Sequence, residues 1–137
     1  MKSHSVIYDI GANTSCFSLL AAQQYRQSSR VVAFEPVPVI VNDLRAMMVA
    51  NGFNDPVHTC WLALFDSVGR TRMYTPASAR SGIIQSEIRH EEIDEATAID
   101  VDMSTLDNFS FVDGNPVREV VKLDVEGAEA SVLAGAM

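Results

Sequence analysis

The sequence predicts an α/β fold, a parallel sheet covered by helices on both faces. Short β-branched runs at residues 6–10, 31–34, 57–61 and 117–123 alternate with stretches of helical spacing at 15–25, 38–50 and 128–136. Such an order needs right-handed crossovers, which lay helices over a parallel sheet. Three of the runs end in Gly11, Glu35 and Asp124, residue types that suit a ligand at the carboxyl ends of strands.

Each element has a local reason. Val6-Ile7-Tyr8-Asp9-Ile10 closes on Gly11 as the first strand. Cys16, Leu19, Leu20 and Ala22 follow at near-helical spacing, with Asn13, Thr14 or Ser15 as the cap. Val31-Val32-Ala33-Phe34 ends at Glu35-Pro36, where proline stops the ladder. A helix over 38–50 puts Ile40, Leu44, Met47 and Met48 on one face and stops at Asn51-Gly52. After the third strand, residues 62–65 and 70–74 flank Asp66-Ser67-Val68-Gly69 as a predicted hairpin. Residues 76–97 read as a long loop with a helical turn near 86–93, and 99–103 alternate like an edge strand. A short capped helix over 104–109 precedes the 117–123 strand, and the last helix runs over 128–136. Trp61, Met47 and Met48 read as core.

Composition narrows the function classes. One domain is the natural reading of 137 residues, and 47% hydrophobic against 20% charged suits a folded core. A net charge of −8 with no basic patch argues against nucleic acid as a partner. Eight of the 18 acids fall between positions 87 and 107, which reads as a solvated face. No apolar run approaches the roughly 18 residues of a membrane span, so no membrane partner is expected. The first residues lead straight into strand-like sequence, so no signal peptide is expected, and Cys16 and Cys60 form no paired motif. A cytoplasmic location is the expectation.

The turn after the first strand, Asp9-Ile10-Gly11-Ala12-Asn13, offers backbone N–H groups at a helix start and a glycine that admits close approach. A dinucleotide fingerprint needs three glycines there, and only Gly11 is present. Glu35 lies 24 residues beyond Gly11, where an acid accepts hydrogen bonds from ribose hydroxyls. Together these favour an adenosine-bearing cofactor without a pyrophosphate. A sulfonium cofactor fits, with a carboxylate for the helix start and a positive sulfur that Asp9 would favour. Lys122, Asp124 and Glu126 alternate at the end of the fourth parallel strand and share one face if the strand persists. Asp124 or Glu126 is the candidate base, with Lys122 orienting or pairing it. A single Asp-x-Glu pair is no cage, so no metal is expected.

At these residues the chain resembles the FkbM family of S-adenosylmethionine-dependent methyltransferases. The matching stretches are Asp9-Ile10-Gly11-Ala12-Asn13 with Phe17, Ala33-Phe34-Glu35-Pro36, Ala63-Leu64 with Asp66 and Gly69, and Thr105-Leu106-Asp107. The most specific is Lys122-Leu123-Asp124-Val125-Glu126-Gly127-Ala128-Glu129 with Leu133 and Gly135. The resemblance implies a Rossmann-like class I methyltransferase sheet that moves a methyl group to a hydroxyl of a sugar or small metabolite. It implies that Asp9, Gly11, Ala12 and Asn13 hold the methionine moiety and Glu35, with Pro36, the ribose. Leu62 and Ala63 would line the adenine, and Asp124 and Glu126 would sit beside the sulfonium and the acceptor.

Two departures stand out. The family pattern has glycine at the position of Ser15, and its members continue with further strands, so the fold is expected to be truncated at its C-terminus. The fourth strand would then be an edge carrying Val120, Val121 and Leu123, covered by self-association or a second chain. The alternatives are a degenerate or partial cofactor-binding module without turnover, and a nucleotide-dependent oxidoreductase.

Overall fold

Strand β1 (Ser5–Ile10) passes through the Gly11 turn into helix α1 (Cys16–Tyr25), followed by β2 (Ser29–Phe34), α2 (Pro38–Ala50) and β3 (Val57–Cys60). A second group comprises β4 (Ala63–Leu64), β5 (Gly69–Pro76), β6 (Ile83–Ile84) and β7 (Ala96–Ser104). The chain returns through α3 (Leu106–Asp113) to β8 (Val120–Leu123) and α4 (Glu129–Ala134). The structure, a computed structural model, describes residues 5–14, 16–25, 29–76, 83–84, 96–113, 120–125 and 127–137.

The main sheet has the order β3-β2-β1-β8 with every pair parallel. Ile7 stands opposite Val31 and Val120, and Ile10 opposite Phe34 and Leu123. Alternate side chains serve opposite faces. Ile7, Val31, Ala33 and Val57 pack on Ala21 and Ala22 of α1 and on Leu44 and Met48 of α2. Tyr8, Ile10, Val32 and Phe34 point the other way, onto Leu106 of α3, Val132 of α4 and Leu64. Burial on both faces is why these strands are apolar almost throughout. Each fully buried Leu, Ile, Val or Phe contributes roughly 1.5–3 kcal/mol. Phe109 of α3 meets the Phe34 ring edge-on at a centroid distance of 4.7 Å, tying that helix to β2.

The helix limits follow from their ends. Pro38 begins α2 at its first turn, where a missing N–H costs nothing. Asn51 and Gly52 end it, Gly52 with a φ of 70°. Helix α3 starts at Leu106 because Ser104 still belongs to β7 and the Thr105 hydroxyl accepts the Asn108 N–H at 3.0 Å. It therefore lies later than the predicted 104–109.

The second sheet corrects two expectations. Its order is β4-β7-β5-β6, so residues 62–65 and 70–74 form no hairpin with each other. Strand β7 lies between them, parallel to β4 and antiparallel to β5, which makes the 99–103 segment interior rather than an edge. Opposite charges meet across this pairing. Arg70 and Arg72 stand opposite Asp102 and Asp100, each with an ion pair at 3.2 Å. The hydrogen bond to Asp100, with its negative charge, holds the exposed Arg72 guanidinium above its ordinary pKa. Met73 and Val101 face inward and are buried. Of the predicted 76–97 loop, Ile83–Ile84 is β6 and residue 96 already belongs to β7, while the helical turn at 86–93 lies outside the described residues.

Trp61 is exposed, not core; its indole N–H donates to the Pro36 carbonyl at 2.8 Å. Met48 is buried and Met47 half-buried. Strand β8 is an edge of the main sheet, with Val120 and Val121 exposed. Among the described residues no helix is long and apolar enough to cross a membrane.

Candidate functional site

The carboxyl ends of β1, β2 and β8 open into one cleft, as expected for ligand sites in parallel sheets. Gly11, Glu35 and Asp124 all line it, and it encloses about 690 Å³ with its open mouth included. Asn13, Pro36, Leu62 and Ala63 also lie on the lining, as the sequence suggested. Among the described lining residues Glu35 and Asp124 are the charged ones, and none is basic.

Glu35 is buried at the end of β2, held by two backbone amides. Its Oε2 accepts the Asn13 N–H at 2.9 Å and its Oε1 the Val37 N–H at 3.0 Å. Hydrogen bonds to a charged group contribute about 1.5–3 kcal/mol each, so the carboxylate is fixed at the cleft wall. Asp124 lies just past β8 with its side chain exposed, and its N–H donates to the Ile10 carbonyl at 3.0 Å. Asp124 thus combines a fixed backbone with an accessible carboxylate.

Four predicted residues stand elsewhere or lie outside the description. Asp9 is fully buried behind the Gly11 turn rather than on the cleft. Its Oδ2 accepts the Ser18 hydroxyl of α1 at 2.6 Å, and Lys122 Nζ lies 3.0 Å from Oδ1 as a charge contact rather than an aligned hydrogen bond. Lys122 thus pairs with Asp9 instead of Asp124, and it also donates to the Gly11 carbonyl at 3.2 Å. Beyond Leu123 the strand ends, so the alternation that would have put Lys122 and Asp124 on one face does not persist. Ala12 is buried in the core beneath the turn. Glu126 lies outside the described residues, as does Ser15.

The turn itself differs from the expected anion cradle. The Gly11 and Ala12 N–H groups both donate to the Phe34 carbonyl, at 3.1 and 2.9 Å. The Asn13 N–H is held by Glu35, and the Thr14 N–H by the Asn13 side-chain oxygen at 2.7 Å. Glycine is required here for packing. Gly11 has a φ of 75°, and a Cβ on it would lie 1.9 Å from the Asp124 carbonyl oxygen. Glu129 has a structural role, its carboxylate accepting the N–H groups of Val125 and Gly127 at 3.4 and 2.9 Å.

Sequence reasoning missed the apolar side of the cleft. Ile10 and Phe34 line it from the main sheet's α3- and α4-facing side, and Leu64 from β4. Val125 and Ala128 line it where the chain enters α4, and Met73 reaches it from the second sheet. The first group was visible as strand core. Met73 carried no signal, because its position depends on how the two sheets pack.

Comparison with known proteins supplies the family. The sequence model of the Methyltransferase FkbM domain matches residues 9–137. Methyltransferase sdnD from Sordaria araneosa is 28% identical, with 98% of this chain and 61% of that protein aligned. The 31-O-demethyl-FK506 methyltransferase FkbM from Streptomyces tacrolimicus is 31% identical, over 98% of this chain and 60% of that protein. The chain thus spans about three-fifths of the length of these relatives. The crystal structure of Methyltransferase FkbM from Methylobacillus flagellatus KT shares the fold, with a TM-score of 0.56 at 17% identity, covering 98% of this chain and 29% of that one. On the match over residues 9–137, the chain belongs to the FkbM methyltransferase family.

Proposed function

We propose that this chain binds S-adenosylmethionine and transfers its methyl group to a hydroxyl of a sugar or another small metabolite. The observation that carries the proposal is the meeting of Gly11, Glu35 and Asp124 on one cleft at the strand ends. Two acids and no base on the described lining favour a cationic ligand. The internally bonded amides of residues 11–14 leave no cradle for a pyrophosphate, which argues against a nicotinamide dinucleotide. A hydroxyl acceptor is in keeping with the name of the Streptomyces relative, which describes an O-demethyl substrate.

When bound, the cofactor supplies an electrophilic methyl group on a positively charged sulfur. The chain's own residues then have separable tasks. Glu35, fixed by two amides, holds the ribose hydroxyls. Pro36, Leu62 and Ala63 supply the apolar wall beside them. Asp124 takes the acceptor's proton onto a carboxylate oxygen. Met73 and Val125 exclude water from the same space, which strengthens each of these interactions.

Calorimetric titration with S-adenosylhomocysteine and with NAD tests the cofactor. Binding of the first without the second is expected, and binding of NAD alone would overturn the reading. Asp124→Asn is expected to lower methyl transfer by roughly 10²–10⁴-fold while leaving S-adenosylhomocysteine affinity unchanged. Unchanged turnover would remove the base role. An alternative reading is a cofactor-binding module without turnover. Binding with no transfer of labelled methyl would select it.

A further inference from the structure

Behind the cleft lies a buried charged cluster that the proposed chemistry does not use. Asp9 sits in the interior between β1 and α1, with the Ser18 hydroxyl on one carboxylate oxygen at 2.6 Å. Lys122 reaches it from β8, its ammonium 3.0 Å from the other oxygen and 3.2 Å from the Gly11 carbonyl. We propose that Lys122 is a positioning residue whose ammonium pins the turn at residues 11–13 and, through that turn, the Glu35 carboxylate. The importance of Glu35 rests on the cofactor reading above, whereas the clamp itself is a property of the folded chain.

The contacts form a continuous chain. Lys122 holds the Gly11 carbonyl from one side. On the other side of the same turn, the Gly11 and Ala12 amides hang on the Phe34 carbonyl, and the Asn13 amide holds Glu35 Oε2. Asn13 adopts a φ of 53°, a left-handed conformation that asparagine takes more readily than most side chains. An ammonium suits the task because it is a compact charge with three donors, able to serve a carboxylate and a carbonyl together. The competing account is that Lys122 does no more than neutralise Asp9.

The two accounts separate in Lys122→Met/Asp9→Asn, which removes both charges and leaves neither stranded in the interior. Amide exchange in the ligand-free chain is the readout, since all three turn amides are hydrogen-bonded. Loss of one charge-assisted hydrogen bond should speed exchange at Gly11, Ala12 and Asn13 by about tenfold or more. Val32 and Ala33 in β2 should stay protected. Turn amides as protected as in the parent chain would overturn the proposal.

Lys122→Arg provides the same test should the double variant fail to fold. It keeps the charge beside Asp9 but replaces the compact ammonium with a planar fork. Faster turn exchange is expected from the clamp, and parent-like exchange would mean neutralisation alone. Weakened S-adenosylhomocysteine binding in either variant would extend the effect to Glu35. Should the parent bind no S-adenosylhomocysteine, the cofactor reading fails, and the exchange data still decide the clamp.

Discussion

At Gly11 the backbone conformation and the packing make the same demand. A φ of 75° costs an ordinary residue roughly 1–2 kcal/mol. An added methyl would also lie 1.9 Å from the Asp124 carbonyl oxygen and 3.0 Å from Val125 Cγ1. Alanine there must push the end of β8 away from β1 and strain the bond from the Asp124 N–H to the Ile10 carbonyl. Gly11→Ala is therefore expected to lose about 3 kcal/mol or more in urea unfolding, well above the conformational cost alone. A loss near 1 kcal/mol would mean that β8 is not held so tightly. The sequence marked Gly11 as a point of close approach for a ligand, and the structure, with Gly11 on the cleft, adds a packing reason for the glycine in the Asp124 backbone behind it. Lys122, by contrast, was misread. Its nearness to Asp124 in sequence suggested a pair, whereas parallel pairing of β8 with β1 sets Lys122 opposite Asp9.

Among the elements, the four parallel strands and the helices between them were legible because each carries its own signal. Continuous β-branched runs mark strands buried on both faces, and Pro38 and Gly52 bracket α2. The second sheet was not legible as a sheet, since strand partners far apart in sequence leave little local trace. Its trace was the charge alternation of Asp100 and Asp102, which reads as an exposed edge until Arg72 and Arg70 are seen opposite. That geometry predicts an alternating mutational pattern along β7. Asp100→Ala and Asp102→Ala remove exposed ion pairs and should each cost no more than about 1 kcal/mol, with the effect shrinking in high salt. Val101→Ala lies between them on the buried face and should cost about 1–3 kcal/mol regardless of salt. Chemical denaturation of the three variants at low and high salt checks the pattern. Equal losses at all three positions would place the buried face of β7 elsewhere.

Across the whole molecule, the cleft exists because the two sheets are held in one relation. Ala63, Met73 and Val101 of the second sheet pack with Ala128 at the start of α4, and Val125 packs against the same cluster. Met73 and Ala128 both line the cleft, so sheet packing sets its width. The other end of α4 reinforces the join at Gly135. Its carbonyl accepts the Asp107 N–H at 3.1 Å, and a Cβ on it would lie 2.2 Å from the Phe65 carbonyl oxygen and 3.1 Å from Thr105 Cβ. Phe65 follows β4 and Thr105 joins β7 to α3, so this one glycine seats α4 against both. Gly135→Ala must displace backbone rather than a flexible side chain, and a loss of about 2 kcal/mol or more is expected. Because the two sheets share one packed junction, they should unfold together. Trp61, the chain's only tryptophan, lies in the segment that joins β3 of the main sheet to β4 of the second, with its indole N–H on the Pro36 carbonyl. Its fluorescence and the far-UV circular dichroism should trace a single urea transition in the parent chain, and in Gly135→Ala both should move to lower urea in step. If the fluorescence transition in Gly135→Ala came first and left the dichroism signal in place, α4 would not be the element that makes the two sheets one cooperative body.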